Sequence, residues 1–333
     1  MPTIKNPKLA LLRDNLDLRI SGNRHVKEQV INALLADGHI LVTSIPGTGK
    51  TTLVEALQDS IADSTSGVMQ LTPDVKPSDI LGSRVWDREK NAFVVVPGPI
   101  VGKNIFLPDE INRTPGKTLA AILRPMQERK VTIADKEFLQ PELFLVFATR
   151  NPIEQEGTYP LPEAALDRFS VEVTMDYVSR KDALQMLRRR KKAVLQHVIS
   201  VSEILAARAE VMSIADNVSD SALEYIVDIS RATRPSDESF ARVHGNEAKS
   251  LSESIKLGAS PRAEIAMRDF AAARAYCNDR DTISDDDVKA VARDVLRHRI
   301  ILNPAVMNDM TVDSFVSKIL DRVKPIEVRS NRK

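Results

Sequence analysis

Apolar residues gather into five short runs across the first half of the chain: HILVTS (39–44), GVMQLT (67–72), NIFLPDE (104–110), LFLVFAT (143–149) and VEVTM (171–175). Three of them are nearly continuous in apolar residues, as parallel strands covered on both faces should be. Between the first two runs Leu53, Leu57 and Ile61 recur at helical spacing. A further helix is predicted from Thr114 to Glu128, with Leu119, Ile122, Leu123 and Met126 on one face. Two stretches read as hairpins: VWDREKNAFVVV (85–96) has apolar ends around a charged turn, and KVTIADKEFLQ (130–140) alternates Val131 and Ile133 with polar residues. Strands alternating with helices predict an α/β fold with a parallel sheet.

From about Val178 the strand signal gives way to helical patterns: LQMLRRRKKAVLQHV, VSEILAARAEVM, SALEYIVDISRA, PRAEIAMRDFAAARAYC and SDDDVKAVARDVLRHRI. In the last, Ser284 stands as N-cap, with three aspartates in the first turn and Arg297, His298 and Arg299 in the last, complementing the helix dipole at both ends. The stretch at 234–260 is polar and poorly periodic, and reads as a long loop or mobile segment. The expected organisation is an α/β domain over 1–178, opening with a short helical segment, and an all-α domain over 179–333.

Composition narrows the function. A length of 333 residues favours two domains. Lys plus Arg number 47 against 46 for Asp plus Glu, a net charge of +1, which lacks the basic footprint of a nucleic-acid coat. The run RRRKK (188–192) has no aromatic partners and reads as a solvated helix face, so no nucleic-acid partner is expected. Cys277 is the one cysteine, and the five histidines show no metal-ligand spacing. Neither a signal peptide nor an apolar run of roughly 20 residues is found, so a cytoplasmic protein without a membrane span is expected.

The chemistry begins at SIPGTGKT (44–51), which lacks only the first glycine of G-x-x-x-x-G-K-[ST], with Ser44 in its place. A phosphate-binding loop needs backbone N–H groups curled around oxygens, a lysine to neutralise them and a hydroxyl for magnesium. Gly47, Gly49, Lys50 and Thr51 supply these, and Pro46, Thr48 and Thr52 complete the expected nucleotide contacts. Residue 44 lies at the strand exit, outside the cradle. The strand–loop–helix context disfavours a chance Gly-rich turn. Farther on, an apolar strand ends in Asp109 and Glu110. Alone such a pair is more often a solvated strand end. Downstream of a phosphate loop it offers one carboxylate for hydrated Mg²⁺, together with Thr51, and one to polarise water.

GHILVTSIPGTGKT, DEINRTPGKTLAAILRPMQERKVTI, NPIEQEGTYPLPEAALDRF and LGASPRA together resemble the MoxR group of AAA+ ATPases, from about Gly22 to about Arg299. The resemblance implies phosphate-loop roles for Lys50 and Thr51 and Walker B roles for Asp109 and Glu110. It implies that Asn151 is the sensor-1 residue, Arg168 an arginine finger offered to a neighbouring subunit, and Arg262 the sensor-2 residue of the lid. Without the resemblance, Arg168 reads simply as an Asp–Arg surface pair beside a core Phe169, and only the resemblance makes it a finger. Arg262 falls in a first helical turn after Ser260 and Pro261, where a cation opposes the dipole unless an anion such as phosphate is near. An outward-swung arginine, or one paired with Glu264, is the other reading.

The expectation is therefore an AAA+ P-loop core followed by a helical lid, binding ATP or ADP with Mg²⁺. By resemblance it assembles as a ring, expected to be a hexamer, and remodels or matures a protein client. The partner of such a ring is often a separate chain carrying a von Willebrand factor A domain, whose Asp-x-Ser-x-Ser pattern is absent here. Three positions depart from the family pattern: Ser44, Arg150 in place of a glutamine, and Pro108 in place of a small residue before Asp109. Proline cannot donate to a ladder, so a bulge or ladder end is expected there. These departures keep open a non-hydrolysing nucleotide-dependent scaffold; a nucleic-acid motor of the same superfamily is the third reading. Trp86 is either a surface contact or a packing anchor.

Overall fold

The structure is a computed structural model and describes residues 6–152, 158–188, 193–303 and 310–325. Its contacts form two compact units, one of residues 7–169 and 173–206, the other built mainly from residues 207 onward.

The first unit opens with α1 (Pro7–Arg19) and α2 (Arg24–Leu35), then β1 (Ile40–Ser44) and α3 (Lys50–Ser60). After β2 (Ile61–Ala62), β3 (Ser66–Gln70) and α4 (Pro77–Leu81) comes the hairpin β4 (Gly82–Asp87) and β5 (Ala92–Pro97). Next are β6 (Ile105–Asp109), α5 (Gly116–Glu128), the hairpin β7 (Lys130–Ile133) and β8 (Lys136–Leu139), and β9 (Leu145–Arg150). The unit continues with α6 (Glu163–Leu166), β10 (Val171–Met175), α7 (Arg180–Arg188) and β11 (Ile199–Ser200).

All five apolar runs are strands of one sheet, in the order β10-β1-β9-β6-β3. Side chains alternate between its faces. Leu41, Phe106, Val146 and Ala148 join Leu119, Ile122 and Met126 of α5 in one buried cluster. The alternate set, Ile40, Val42, Ile105, Leu107, Leu145 and Phe147, is equally buried, on the face where α3 packs against β3 and β6. Burial on both sides explains why β1, β6 and β9 carry no polar alternation. Residues 179–206 group with this unit, partly because Ile199 and Ser200 pair in parallel with Ile61 and Ala62.

Pro108 behaves differently on its two sides. Register with β3 runs unbroken through Met69↔Pro108 and Gln70↔Asp109, whereas pairing with β9 stops at Phe106↔Val146. No bulge forms on the β3 side; the missing N–H shortens only the β9 ladder.

The second unit contains α8 (Val201–Asp216), α9 (Asp220–Arg231), α10 (Glu238–His244), α11 (Ala248–Ser254), β12 (Ile255–Leu257), α12 (Pro261–Cys277), α13 (Asp285–Leu296), β13 (Ile301–Leu302) and α14 (Val312–Arg322), α8 beginning in the first unit. The Ser284 cap is present as a reciprocal box with Asp287. Two expectations need correction. Residues 234–260 are not a long loop: they hold α10, α11 and β12, because Phe240, His244, Leu251 and Ile255 are buried, and Asp237 caps α10 through the Ser239 N–H. The helix expected over 184–198 ends at Arg188 among the described residues, since 193–198 are extended or irregular. Residues 189–192 of the basic run, and 153–157 of the family block, lie outside the described residues.

Candidate active site

The carboxyl ends of β1, β6 and β9 share one edge of the sheet, the edge where α/β proteins place ligands. At the end of β1 the chain turns through Ile45–Thr48 and enters α3 with Gly49 as N-cap. Gly47 and Gly49 have φ of 82° and 94°, which other residues adopt only under strain. A Cβ at either would meet nothing within 4 Å, so no neighbouring side chain or backbone fills the space beside the loop. Thr48 Oγ1 donates to Ile45 O at 3.1 Å and closes the turn. The first helical N–H groups, of Lys50, Thr51 and Thr52, face this space without helical acceptors, and the positive end of the helix dipole adds to them. Unfilled space beside unpaired helical N–H donors fits phosphate. Ser44 is buried within β1, and its φ lies outside the left-handed region, so glycine is not required there.

Lys50 is buried, and its Nζ lies 3.5 Å from Asp109 Oδ1. This ion pair joins the loop to the end of β6 and compensates a lysine that would be costly to bury alone. Asp109 also accepts a hydrogen bond from the Thr149 hydroxyl on β9. The same hydroxyl accepts the Glu110 N–H at 2.9 Å. Where Pro108 ends the backbone ladder to β9, a side chain takes over the connection.

Glu110 sits in the left-handed region, with φ 60° and ψ 54°, which turns its side chain away from the strand. Its Oε2 lies 2.6 Å from Arg113 Nε at the end of the 3-10 turn Ile111–Arg113. Asn151 is buried one residue beyond β9. Its backbone C=O and N–H are both met by the side-chain amide of Asn112. Thr149, Asn112 and Arg113 were not singled out from sequence. Asn112 and Arg113 fall within the family-like stretch DEINR, while Thr149 is a lone hydroxyl in an apolar run.

Lys50, Asp109, Glu110 and Asn151 are thus brought to one locality. Arg150, the cation expected beside Asn151, alternates onto the other face of the sheet, where its Nε donates to Thr43 Oγ1 at 2.7 Å. Thr51 is exposed at the start of α3, and its hydroxyl is an oxygen donor of the kind Mg²⁺ takes. Among the described residues no group of three or more His, Cys, Asp or Glu side chains is placed to hold a metal. One carboxylate and one hydroxyl suit Mg²⁺ arriving with a nucleotide. Arg168 follows α6, and its Nε donates to Gln127 Oε1 of α5 at 3.4 Å. In the second unit, Arg262 is exposed in the first turn of α12, where Ser260 caps through the Arg262 N–H. Glu264 pairs with Arg234 at 2.6 Å. Trp86 is half-exposed and packs edge-on against Phe93, an anchor within its hairpin with one side open to solvent.

Comparison with known proteins agrees with this arrangement. The model of the ATPase family associated with various cellular activities (AAA) matches residues 39–171, and that of the AAA lid domain matches 247–319. The chain is 36% identical to the uncharacterised protein YeaC of Bacillus subtilis, over 96% of this chain and 95% of that one. It is 34% identical to chaperone MoxR1 of Mycobacterium tuberculosis, over 91% and 78% of the two chains. It is 30% identical to protein MoxR of Paracoccus denitrificans, over 85% of each. A crystal structure of a proposed ATPase from Cytophaga hutchinsonii superposes with a TM-score of 0.86 at 34% identity, covering 96% of this chain and 95% of that one. A parallel five-stranded sheet between helices, a phosphate-type loop entering α3 and a following helical unit, matched by relatives over most of the chain, place this protein in the MoxR family of AAA+ ATPases.

Proposed function

We propose that this protein hydrolyses ATP with Mg²⁺ in a ring, expected to be a hexamer, and uses the turnover to remodel or mature a protein client. The observation that carries the reading is the Lys50–Asp109 contact of 3.5 Å, which sets the loop against a strand end with Glu110 beside it. Backbone N–H groups from Gly47 to Thr52 bind phosphate oxygens, and Pro46 and Thr48 shape the turn that presents them. Lys50 exchanges part of its pairing with Asp109 for the phosphates. Thr51 and Asp109 would hold Mg²⁺, which would neutralise charge on the phosphate oxygens. Glu110 orients the attacking water and accepts its proton, and Asn151 helps hold that water in line. Arg168, with few ties in its own subunit, is offered to a neighbour's nucleotide, and Arg262 reports phosphate to the lid. The client is expected to be a protein, with a separate von Willebrand factor A domain chain as one candidate partner. No nucleic-acid partner is proposed.

Equilibrium ATP binding and phosphate release by wild type and Lys50→Ala test the reading. Wild type should bind and turn over ATP, and Lys50→Ala should lose both. Unchanged affinity in Lys50→Ala would refute the phosphate-loop assignment. A second reading, a scaffold that binds ATP without hydrolysing it, is favoured by the Glu110–Arg113 ion pair of 2.6 Å, which engages the proposed base. Tight ATP binding with no phosphate release at any temperature would select it.

A further inference from the structure

We propose that Asn112 is a positioning residue that fixes the spacing between Glu110 and Asn151. This rests on the ATPase reading above and deepens it. Strands β6 and β9 separate as pairing partners after Phe106↔Val146, so no backbone ladder links the two residues on which hydrolysis would depend. Asn112 supplies the link. Its Nδ2 donates to Asn151 O at 3.2 Å, and its Oδ1 accepts the Asn151 N–H at 3.4 Å. One side-chain amide thus meets both backbone groups of Asn151, as a neighbouring strand residue would. Only an amide carries donor and acceptor side by side in this fork, and reversing it would set like against like at both contacts.

The other end of the short turn is equally constrained. Glu110 is tied to Thr149 through its N–H and to Arg113 through its carboxylate, and Arg113 closes the 3-10 turn through its N–H to Glu110 O at 2.9 Å. The Asn112 carbonyl accepts the Tyr159 N–H at 2.6 Å, which fixes the turn to a third segment. Any shift of Asn151 relative to Glu110 must therefore break the Asn112 fork. Misplacement of a reacting group by about 1 Å costs on the order of 100-fold in rate. Ground-state binding of ATP, carried by the loop and Lys50, does not pass through this fork.

The test uses the full chain with Asn112→Ala, Asn112→Asp and Asn112→Ser, measuring kcat, KM, equilibrium ATP affinity and thermal midpoint. Asn112→Asp keeps the acceptor for the Asn151 N–H but sets a carboxylate oxygen against the Asn151 carbonyl. The expected result is a kcat lowered roughly 10- to 100-fold in Asn112→Ala and Asn112→Asp, with ATP affinity within about twofold of wild type. Asn112→Ser, which can restore one bond, should fall between, and it serves as the measurement if the alanine variant fails to fold. Glu110→Gln is run in parallel. If Glu110→Gln turns over like wild type, the ATPase reading fails. If Glu110→Gln is inactive while the Asn112 variants keep wild-type kcat, the positioning role alone is overturned. Loss of kcat only in step with lost ATP affinity and a lowered midpoint also overturns it, since that is the signature of general destabilisation.

Discussion

The hydroxyl of Thr149 accepts the Glu110 N–H at 2.9 Å and donates to the Asp109 carboxylate, so one side chain on β9 holds both acidic residues at the end of β6. It acts where Pro108 has ended the backbone pairing between those strands. Thr149→Val keeps the shape and removes the hydroxyl. It should cost about 1–3 kcal/mol in stability, because the Glu110 N–H is left without this partner. Phosphate release should fall at least tenfold. Denaturant unfolding and an ATPase assay check the two effects separately.

The glycines of the loop and its missing glycine make opposite predictions. Gly49 has φ 94° with open space around it, so Gly49→Ala meets no clash but pays roughly 1–2 kcal/mol for the left-handed backbone. Where the variant loop relaxes without ligand, regaining the cradle conformation on binding should weaken ATP affinity by about tenfold in calorimetry. Ser44 needs no such conformation, and Ser44→Gly should change turnover by less than tenfold. A much larger gain would mean that the native loop is defective and would favour the scaffold.

In the second unit, the Asp287 carboxylate is fully buried and is held by Arg274, Arg280 and Ser284. Burial raises its pKa, but the Arg280, Ser284 and Arg274 hydrogen bonds outweigh burial and leave it below the usual 3.8. A depressed folded-state pKa gives stability that is fully present above the unfolded value and lost as pH falls through the folded one. Thermal midpoints should therefore hold near neutrality and drop below about pH 4. Asp287→Asn should cost about 3 kcal/mol at pH 7, the low end for breaking a buried pair because both guanidinium groups are partly exposed. It should also flatten the acid limb of the midpoint curve.

Much of this was legible in the sequence because it is local. Burial of both faces of β1, β6 and β9 wrote three nearly continuous apolar runs, and the Ser284 cap needs only the three residues after it. The loop glycines and the Asp109–Glu110 pair were legible for the same reason. The helices over 238–254 were not, because their large buried side chains, Phe240, His244 and Leu251, are too sparse for a periodic pattern. The contacts of Thr149 and Asn112 with residues about forty positions away exist only once strands are adjacent. The one-sided effect of Pro108 likewise depends on which neighbour its nitrogen faces.

Arg168 tests assembly and chemistry together. If it acts on a neighbour's nucleotide, Arg168→Ala should bind ATP normally and hydrolyse it about 10³–10⁵-fold more slowly. Lys50→Ala should be inactive but still carry an intact Arg168. Mixing the two under conditions of subunit exchange should restore part of the activity. Mixed rings that remain inactive would assign Arg168 to a role within its own subunit, beside Gln127.

The most direct test of the account is the rate of phosphate release from Glu110→Gln measured with ATP bound. The side chain keeps its size and loses the charge that accepts the water's proton, while Lys50, Asp109 and the loop are untouched. The account predicts ATP affinity equal to or tighter than wild type and phosphate release reduced at least 100-fold, so that ATP stays intact on the protein. Release at the wild-type rate from Glu110→Gln would contradict it, and hydrolysis would then have to be assigned to another group.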